Sequence, residues 1–139
     1  PPIRSMCATT IRTRRPSSVF ATCNNWPMTD THLPKQDWST QARRALSASE
    51  VVTQLSPLSG WVLSGDGADV AIEKTFRFAN YYETMAFVNG VALVAHTQDH
   101  HPDLSVHYNR CVVRLNTHDL KGISAADFEC ADKFDALVA

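Results

Sequence analysis

Two short runs of alternating apolar and polar residues make up the stretch LSVHYNRCVVRL, residues 104–115. An alternation with a period of two is typical of a β-strand that buries one of its faces. Asn109 and Arg110, between the two runs, favour a turn, so the stretch predicts an antiparallel hairpin. The face that we expect to be buried consists of Leu104, Val106, Tyr108, Cys111, Val113 and Leu115.

An earlier segment of the chain has the same organisation. Residues 61–63 are expected to form a strand, and Gly65, Asp66 and Gly67 a turn. Residues 70–78 alternate in polarity, which predicts a second half-buried strand that pairs with the first. The chain therefore supplies two hairpins.

Three helices are predicted from their start signals. Ser47, Asn80 and Ser124 are typical N-cap residues, and each is followed three positions later by an acidic residue. Pro57 and Gly60 would end the first helix. The apolar face predicted for the second and longest helix consists of Tyr81, Met85, Val88, Ala92 and Ala95.

The predicted order of elements is α-β-β-α-β-β-α. This order favours an α+β fold, with a four-stranded antiparallel sheet and helices packed on one of its faces. The two edges of so small a sheet indicate self-association. Apolar helix residues that could be left over for an interface are Met85, Val88, Phe128 and Phe134.

Composition divides the chain at about residue 44. Residues 1–44 are rich in Pro, Ser, Thr and Arg and are expected to form a mobile tail, whereas residues 45–139 form one domain. Residues 1–27 contain four arginines and no acidic residue, which fits an organellar transit peptide or sequence upstream of a natural start at Met28. No apolar run approaches the roughly 20 residues of a membrane helix. We therefore expect a cytoplasmic protein, or an organellar one if the tail is a transit peptide.

Charge and cysteine content narrow the function further. Residues 28–139 carry 9 basic and 14 acidic side chains, which argues against a direct nucleic-acid partner. The four cysteines include no C-x-x-C pair, so a disulfide framework is not expected. Cys111 and Cys130 are interpreted as core residues of a protein in a reducing compartment.

Five of the six histidines lie within a stretch of 23 residues. Histidine exchanges protons near neutral pH and binds metals, so the cluster indicates acid–base chemistry or a metal site. Four of them are expected to meet at one end of the sheet, namely His96, His100, His101 and His118. His107 lies in a predicted strand and is interpreted as a solvated residue.

The spacing of these residues resembles the signature of the pterin-4a-carbinolamine dehydratase family. The matching residues are His96, His100, His101, Pro102, Tyr108, His118 and Asp127, and the resemblance extends from about Leu46 to Leu137. It implies dehydration of a 4a-hydroxytetrahydropterin to quinonoid dihydropterin and water, which recycles the cofactor of aromatic amino-acid hydroxylases. It also implies a homodimer or homotetramer that needs neither a metal nor an organic cofactor.

The resemblance assigns catalysis to His100, His101 and His118. The 4a-hydroxyl must leave as water and a ring nitrogen must lose a proton, so His100 and His118 would transfer protons and His101 would bind and orient the pterin. The residues assigned to substrate binding are His96, Asp99, Pro102 and Asp127. The chain differs from many relatives in having His96 in place of Glu and Leu104 in place of Trp.

Two other functions are consistent with parts of the pattern. A metal hydrolase is one, because His96 and His100 would share a helical face and His118 could be a third ligand. The zinc hydrolase motif needs Glu after the first histidine, however, and Thr97 stands there. The other is a dimerisation or transcriptional coactivator module, a role that some family members also have.

Three of the residues also have structural interpretations. Asp127 stands where it can complete a capping box, which we expect to be its main role. Asp99 could be solvated or cap the end of a helix. Tyr108 continues the apolar alternation of its strand and is interpreted as a core residue.

Overall fold

The computed structural model describes residues 34–38 and 44–139. The helices are α1 (Ala48–Leu55), α2 (Tyr81–Gln98) and α3 (Ala125–Ala136), and the strands are β1 (Val62–Ser64), β2 (Ala71–Arg77), β3 (Asp103–His107) and β4 (Arg110–Leu115). The predicted order of elements is confirmed. Within the described ranges, no helix is long and apolar enough to cross a membrane. The mobile tail predicted for residues 1–44 lies mostly outside these ranges.

The four strands form one antiparallel sheet in the order β1-β2-β4-β3. Both predicted hairpins are present, and β2 joins them by pairing with β4 along its length. One face of the sheet supplies core residues, which pack with residues of all three helices. The buried residues of that face are Ile72, Phe76, Cys111, Val113 and Leu115. The predicted α+β fold, with helices on one face, is therefore confirmed.

The first two helices, α1 and α2, begin at the predicted residues, and capping hydrogen bonds are present at both starts. The Ser47 backbone N–H donates to Glu50 Oε2 at 2.8 Å, at the start of α1. At the start of α2, the Glu83 backbone N–H donates to Asn80 Oδ1 at 2.9 Å. These bonds satisfy N–H groups that a helix terminus would otherwise leave unpaired.

The apolar face predicted for α2 is wrong by about one position. The residues buried along this helix are Thr84, Phe87, Val91, Ala95 and Gln98, whereas Tyr81 is 51% exposed. The Phe87 ring lies 4.5 Å from the Phe76 ring and 5.1 Å from the Phe78 ring, measured between centroids. Because α2 is apolar on more than one side, these contacts with β2 and the residue after it select the buried face.

Tyr108 is exposed, so its interpretation as a core residue is wrong. β3 ends at His107, and Tyr108 lies in the two-residue turn before β4 with 68% of its surface exposed. Its ring stacks on that of Tyr81, with centroids 6.4 Å apart. The turn therefore begins one residue earlier than the alternation predicts.

Two of the residues predicted to be left over for an interface are core residues of the single chain. Phe128 is 7% exposed and Phe134 is fully buried. The large apolar residues that α2 does expose include Tyr82, at 82%, and Leu93, at 53%. An interface formed by the helical face would therefore use α2 rather than these two phenylalanines.

Residues 34–38 lie against the C-terminal end of α2. Trp38 is 4% exposed, and its Nε1–H donates to the Gln98 carbonyl at 2.5 Å. The Gln36 backbone N–H donates to the Thr97 carbonyl at 2.6 Å. This short part of the predicted tail therefore packs on the domain.

The cysteines that the structure describes are core residues, as predicted. Cys111 and Cys130 are free and buried. Burial raises the pKa of the Cys130 thiol to about 12, which keeps the thiol protonated and unreactive. Cys7 and Cys23 lie outside the described residues.

Gly65 allows the turn between β1 and β2. Its φ is +74°, and a Cβ at this position would overlap the Asp69 carbonyl oxygen. We expect Gly65→Ala to lower the free energy of unfolding by about 2 kcal/mol, measured by urea denaturation. Gly67 also has a positive φ, but its Cβ would meet no atom within 4 Å. Gly67→Ala is therefore the matched control, and an equal loss in both variants would contradict the overlap as the cause.

Candidate active site

The C-terminal end of α2 turns the chain so that His100 leaves the helix. Asp99 is the C-cap residue and has left-handed backbone angles, with φ of 49° and ψ of 37°. The His100 backbone N–H donates to the Ala95 carbonyl at 3.1 Å, which closes the turn. His96 remains on the exposed surface of α2. The expectation that His96 and His100 share one helical face is therefore wrong.

His100 is held by the buried carboxylate of Asp127. The distance between His100 Nε2 and Asp127 Oδ1 is 2.6 Å. The Asp127 side chain is fully buried, and 13% of the His100 side chain is exposed. A contact this short to a carboxylate fixes both the orientation of the imidazole and the nitrogen that carries the proton.

The second oxygen of Asp127 is fixed by two neighbouring segments. Oδ2 accepts hydrogen bonds from the Thr117 hydroxyl and from the Ser124 backbone N–H, both at 2.8 Å. The hydroxyls of Thr117 and Ser124 lie 2.7 Å apart. The predicted capping contact of Asp127 is therefore confirmed, but the same carboxylate also binds His100.

Sequence reasoning missed the part that Thr117 and Ser124 play in this network. The sequence indicates Ser124 only as a helix cap. No sequence feature other than its place next to His118 points to Thr117 as part of the site. Thr117 is 7% exposed and its backbone N–H donates to the Gly122 carbonyl at 2.9 Å. The loop after β4 is therefore tied to Asp127, and through it to His100.

His118 follows Thr117 in a short 3-10 turn, His118–Leu120, and its side chain is exposed. His101 is also exposed, directly after His100, and Pro102 is half-buried at the entry to β3. Two loops, the one after α2 and the one after β4, thus carry exposed imidazoles beside a buried carboxylate. Both loops lie at the end of the sheet where β3 begins and β4 ends, and the meeting of the four histidines there stays a prediction.

Asp99 is an exposed residue with an ionic contact of its own. Its Oδ1 lies 2.8 Å from Lys35 Nζ, which belongs to the segment that packs on the end of α2. The Gln98 side chain accepts a hydrogen bond from Lys133 Nζ at 2.6 Å, which ties the end of α2 to α3. The turn that presents His100 is therefore supported from both sides.

The second nitrogen of His100 is available for chemistry. Among the described residues, every fully buried side-chain nitrogen or oxygen has a hydrogen-bond partner. His100 Nδ1 has no partner in that part of the chain, so this nitrogen is in contact with solvent. In the neutral imidazole, donation of the Nε2–H to Asp127 leaves the lone pair on Nδ1, where a proton can be accepted.

Two cavities of about 350 and 330 Å³ are not lined by these histidines. The first lies between α1 and α3 and includes Leu58 and Phe128, and the second includes Val51, Leu63 and Ile123. Among the described residues, no three His, Cys, Asp or Glu side chains are arranged to hold a metal ion. The proposed metal ligands His96, His100 and His118 are thus not brought together as a set.

The sequence matches the family described as pterin 4 alpha carbinolamine dehydratase over residues 44–137. A protein of Paracidovorax citrulli (strain AAC00-1), named as a candidate pterin-4-alpha-carbinolamine dehydratase, is 73% identical over 107 residues, covering 77% of this chain and 92% of the relative. A protein of Stenotrophomonas maltophilia (strain K279a) with the same name is 52% identical over 92 residues, covering 66% and 78%.

Two solved structures resemble the fold. A transcriptional coactivator/pterin dehydratase from Brucella melitensis superposes with a TM-score of 0.65 and 32% identity, over 69% of this chain and all of that one. A pterin dehydratase-like RuBisCO assembly factor of the alpha-carboxysome superposes with a TM-score of 0.50 and 23% identity, over 58% of this chain and 90% of that one. The second likeness concerns the fold alone.

Proposed function

Because the chain belongs to the pterin-4-alpha-carbinolamine dehydratase family, we propose that it converts a 4a-hydroxytetrahydropterin to quinonoid dihydropterin and water. The C4a–O bond breaks, and the hydroxyl leaves as water with a proton from an acid. The neighbouring ring nitrogen gives its proton to a base, and the electron pair of that N–H bond forms the new C=N bond. The reaction therefore needs one proton donor and one proton acceptor that work near neutral pH.

The contact between His100 and Asp127 carries this proposal. Asp127 accepts from His100 Nε2–H, so His100 Nδ1 is the atom that takes the proton from the pterin ring. The imidazolium formed in this step is stabilised by the buried carboxylate at 2.6 Å. Asp127 itself is fully buried, so in this proposal it positions His100 and does not touch the substrate.

His118 is the proposed proton donor to the leaving hydroxyl. Support for this role comes from the adjacent Thr117, whose hydroxyl binds the other oxygen of Asp127. The exposed His101 would bind and orient the pterin. Further substrate contacts are proposed for Asp99 and Pro102, which flank the His100–His101 pair, and for His96, which lies on the exposed surface near the end of α2.

The proposed setting follows from this chemistry. The substrate would come from an aromatic amino-acid hydroxylase in the cytoplasm, and the reaction would use no metal or organic cofactor. We also propose a homodimer or homotetramer, because β1 and β3 are edge strands and α2 exposes Tyr82 and Leu93. The pterin sites would then lie at the sheet ends of each subunit.

The proposed activity is tested by following decay of the 4a-carbinolamine during hydroxylase turnover. We expect wild-type protein to speed this decay by at least about tenfold over buffer, as acid–base catalysis predicts. The same concentration of His100→Ala protein is the matched control. Decay at the buffer rate with wild-type protein would contradict the proposal and favour a non-catalytic role.

A further inference from the structure

The face of the sheet that turns away from the helices carries a row of basic residues. Arg110, near the start of β4, pairs directly with Arg77 of β2 on one side and with His107 of β3 on the other. Directly paired residues of an antiparallel sheet project from the same face. Arg77 and His107 are exposed, and Arg110, on the central strand, is partly exposed. We call these three residues the basic row.

The basic row contains no acidic residue. Among the described residues, neither Arg77 nor Arg110 forms an ion pair. Two guanidinium groups directly opposite each other repel, which destabilises a sheet. The arrangement thus brings two guanidinium charges together, and no acidic side chain in residues 34–38 or 44–139 forms an ion pair with either of them.

A second row on the same face shows the opposite pattern. Arg114 of β4 pairs with Glu73 of β2 and with Asp103 of β3, so charges alternate in sign across the three strands. The Arg114 guanidinium also donates to the Asp69 carbonyl. On the same three strands, the row around Arg114 therefore pairs opposite charges, whereas the basic row places two arginines side by side.

We propose that the basic row is a binding site for a compact anion that bears two or more phosphate groups. Guanidinium groups match phosphate oxygens with paired hydrogen bonds, and a bound phosphate would remove the repulsion between Arg77 and Arg110. Neighbouring strands lie about 4.8 Å apart, so the three residues span about 10 Å across the sheet. A chain of two or three linked phosphates fits that span.

The basic row is separate from the candidate active site. His101 and Pro102 precede the first residue of β3, whereas His107 is the last, so four residue intervals, about 13 Å, separate the two ends of this strand. The backbone at the row is held in place, because the Phe78 N–H donates to the Asn109 carbonyl at 2.8 Å just beyond it. A ligand would therefore meet an ordered surface.

The surroundings favour a compact ligand over nucleic acid. The acidic residues Glu73 and Asp103 lie further along the same face, and residues 28–139 as a whole carry 9 basic against 14 acidic groups. A long phosphodiester backbone would run from the basic row into this negative region. A short phosphate chain would stay within the row.

Calorimetric titration of the full chain with sodium tripolyphosphate at low ionic strength tests the proposal. We expect saturable binding that Arg110→Gln weakens by at least about tenfold, since charge-assisted hydrogen bonds are lost. Arg77→Gln should weaken binding in the same direction. It is the alternative variant if Arg110→Gln disturbs folding. Arg114→Gln is the matched control, on the same strand and face, and should change the affinity by less than about twofold.

Three results would overturn the proposal. The first is the absence of saturable binding by wild-type protein, and the second is an equal loss of affinity in the Arg114→Gln variant, which would indicate a general charge effect. The third is binding of a single-stranded oligonucleotide more than about tenfold tighter than tripolyphosphate at the same salt concentration, which would point to nucleic acid. Circular dichroism spectra of all variants should match the wild type.

Discussion

His100→Ala is expected to lower dehydratase turnover by about 10²-fold or more, because it removes the proposed general base. The same change leaves Asp127 Oδ1 without its imidazole partner at 2.6 Å, although Oδ2 keeps its bonds to Thr117 and Ser124. Folding should survive, since His100 is partly exposed and outside the apolar core. Single-turnover decay of the carbinolamine measures the loss, and circular dichroism checks the fold.

His100→Gln separates proton transfer from the structural contact. The Gln side chain can still donate an N–H to Asp127 Oδ1, but it has no group that takes up a proton near neutral pH. We expect a melting temperature close to that of the wild type, with turnover reduced as far as in the alanine variant. Wild-type turnover in either variant, with a native spectrum, would remove His100 from the mechanism.

Asp127→Ala is expected to lower the free energy of unfolding by about 3 kcal/mol, measured by urea denaturation. The change removes the acceptor of four donors in a largely buried place: His100 Nε2–H, the Thr117 hydroxyl, and the Ser124 backbone N–H and hydroxyl. Each unsatisfied buried donor costs about 1–3 kcal/mol, and partial relaxation reduces the total. Turnover should fall as well, because the imidazole loses the group that orients it.

Asp127→Asn tests the positioning role with less effect on the fold. The amide has one acceptor oxygen, so it cannot accept from His100 and from Thr117 and Ser124 with separate oxygens, as the carboxylate does. If the amide NH₂ faces His100, Nε2 must carry the lone pair and Nδ1 the proton, which is the wrong tautomer for a base at Nδ1. We expect a turnover loss of about 10²-fold or more that is larger than the loss of stability explains.

Asp132→Asn is the matched control for this change, since Asp132 lies on the same helix but is exposed. It should leave turnover unchanged and alter the free energy of unfolding by no more than about 0.5 kcal/mol. Native turnover in the Asp127→Asn variant would mean that the carboxylate only caps α3.

Local signals in the sequence predict the elements of this fold well. The starts of α1 and α2 depend on a cap and an acid three residues apart, and both occur where Ser47 and Asn80 predict them. The hairpins follow from alternation and turn residues within about fifteen positions. These interactions are short-range in the chain, so the sequence pattern contains what is needed to predict them.

The errors concern features that depend on distant parts of the chain. The buried face of α2 is selected by contacts of Phe87 with Phe76 and Phe78, and periodicity along a helix that is apolar on several sides cannot identify it. Tyr108 continues an apolar alternation, but its strand ends one residue earlier. Trp38 packs on a helix end 60 residues further along the chain.

Only part of the candidate site could be predicted, because some of its features are local in the sequence and others depend on contacts between distant residues. The spacing pattern identifies His100, His101 and His118 as candidates, and the end of the sheet at which they lie follows from the order of the strands. The contact that orients His100 joins residues 27 positions apart, on two elements whose packing the sequence does not reveal. Asp127 was correctly identified as a capping residue, and its second contact emerged only from the fold.

The order of the elements along the chain has a consequence for the order in which the candidate site forms during synthesis. The second hairpin joins the first through the pairing of β2 with β4, and α3, which carries Asp127, follows both along the chain. A nascent chain that ends before α3 already contains every histidine of the candidate site, but His100 has no carboxylate partner. In the proposed mechanism, His100 would therefore gain the group that orients it only after α3 has been synthesised and has packed on α2.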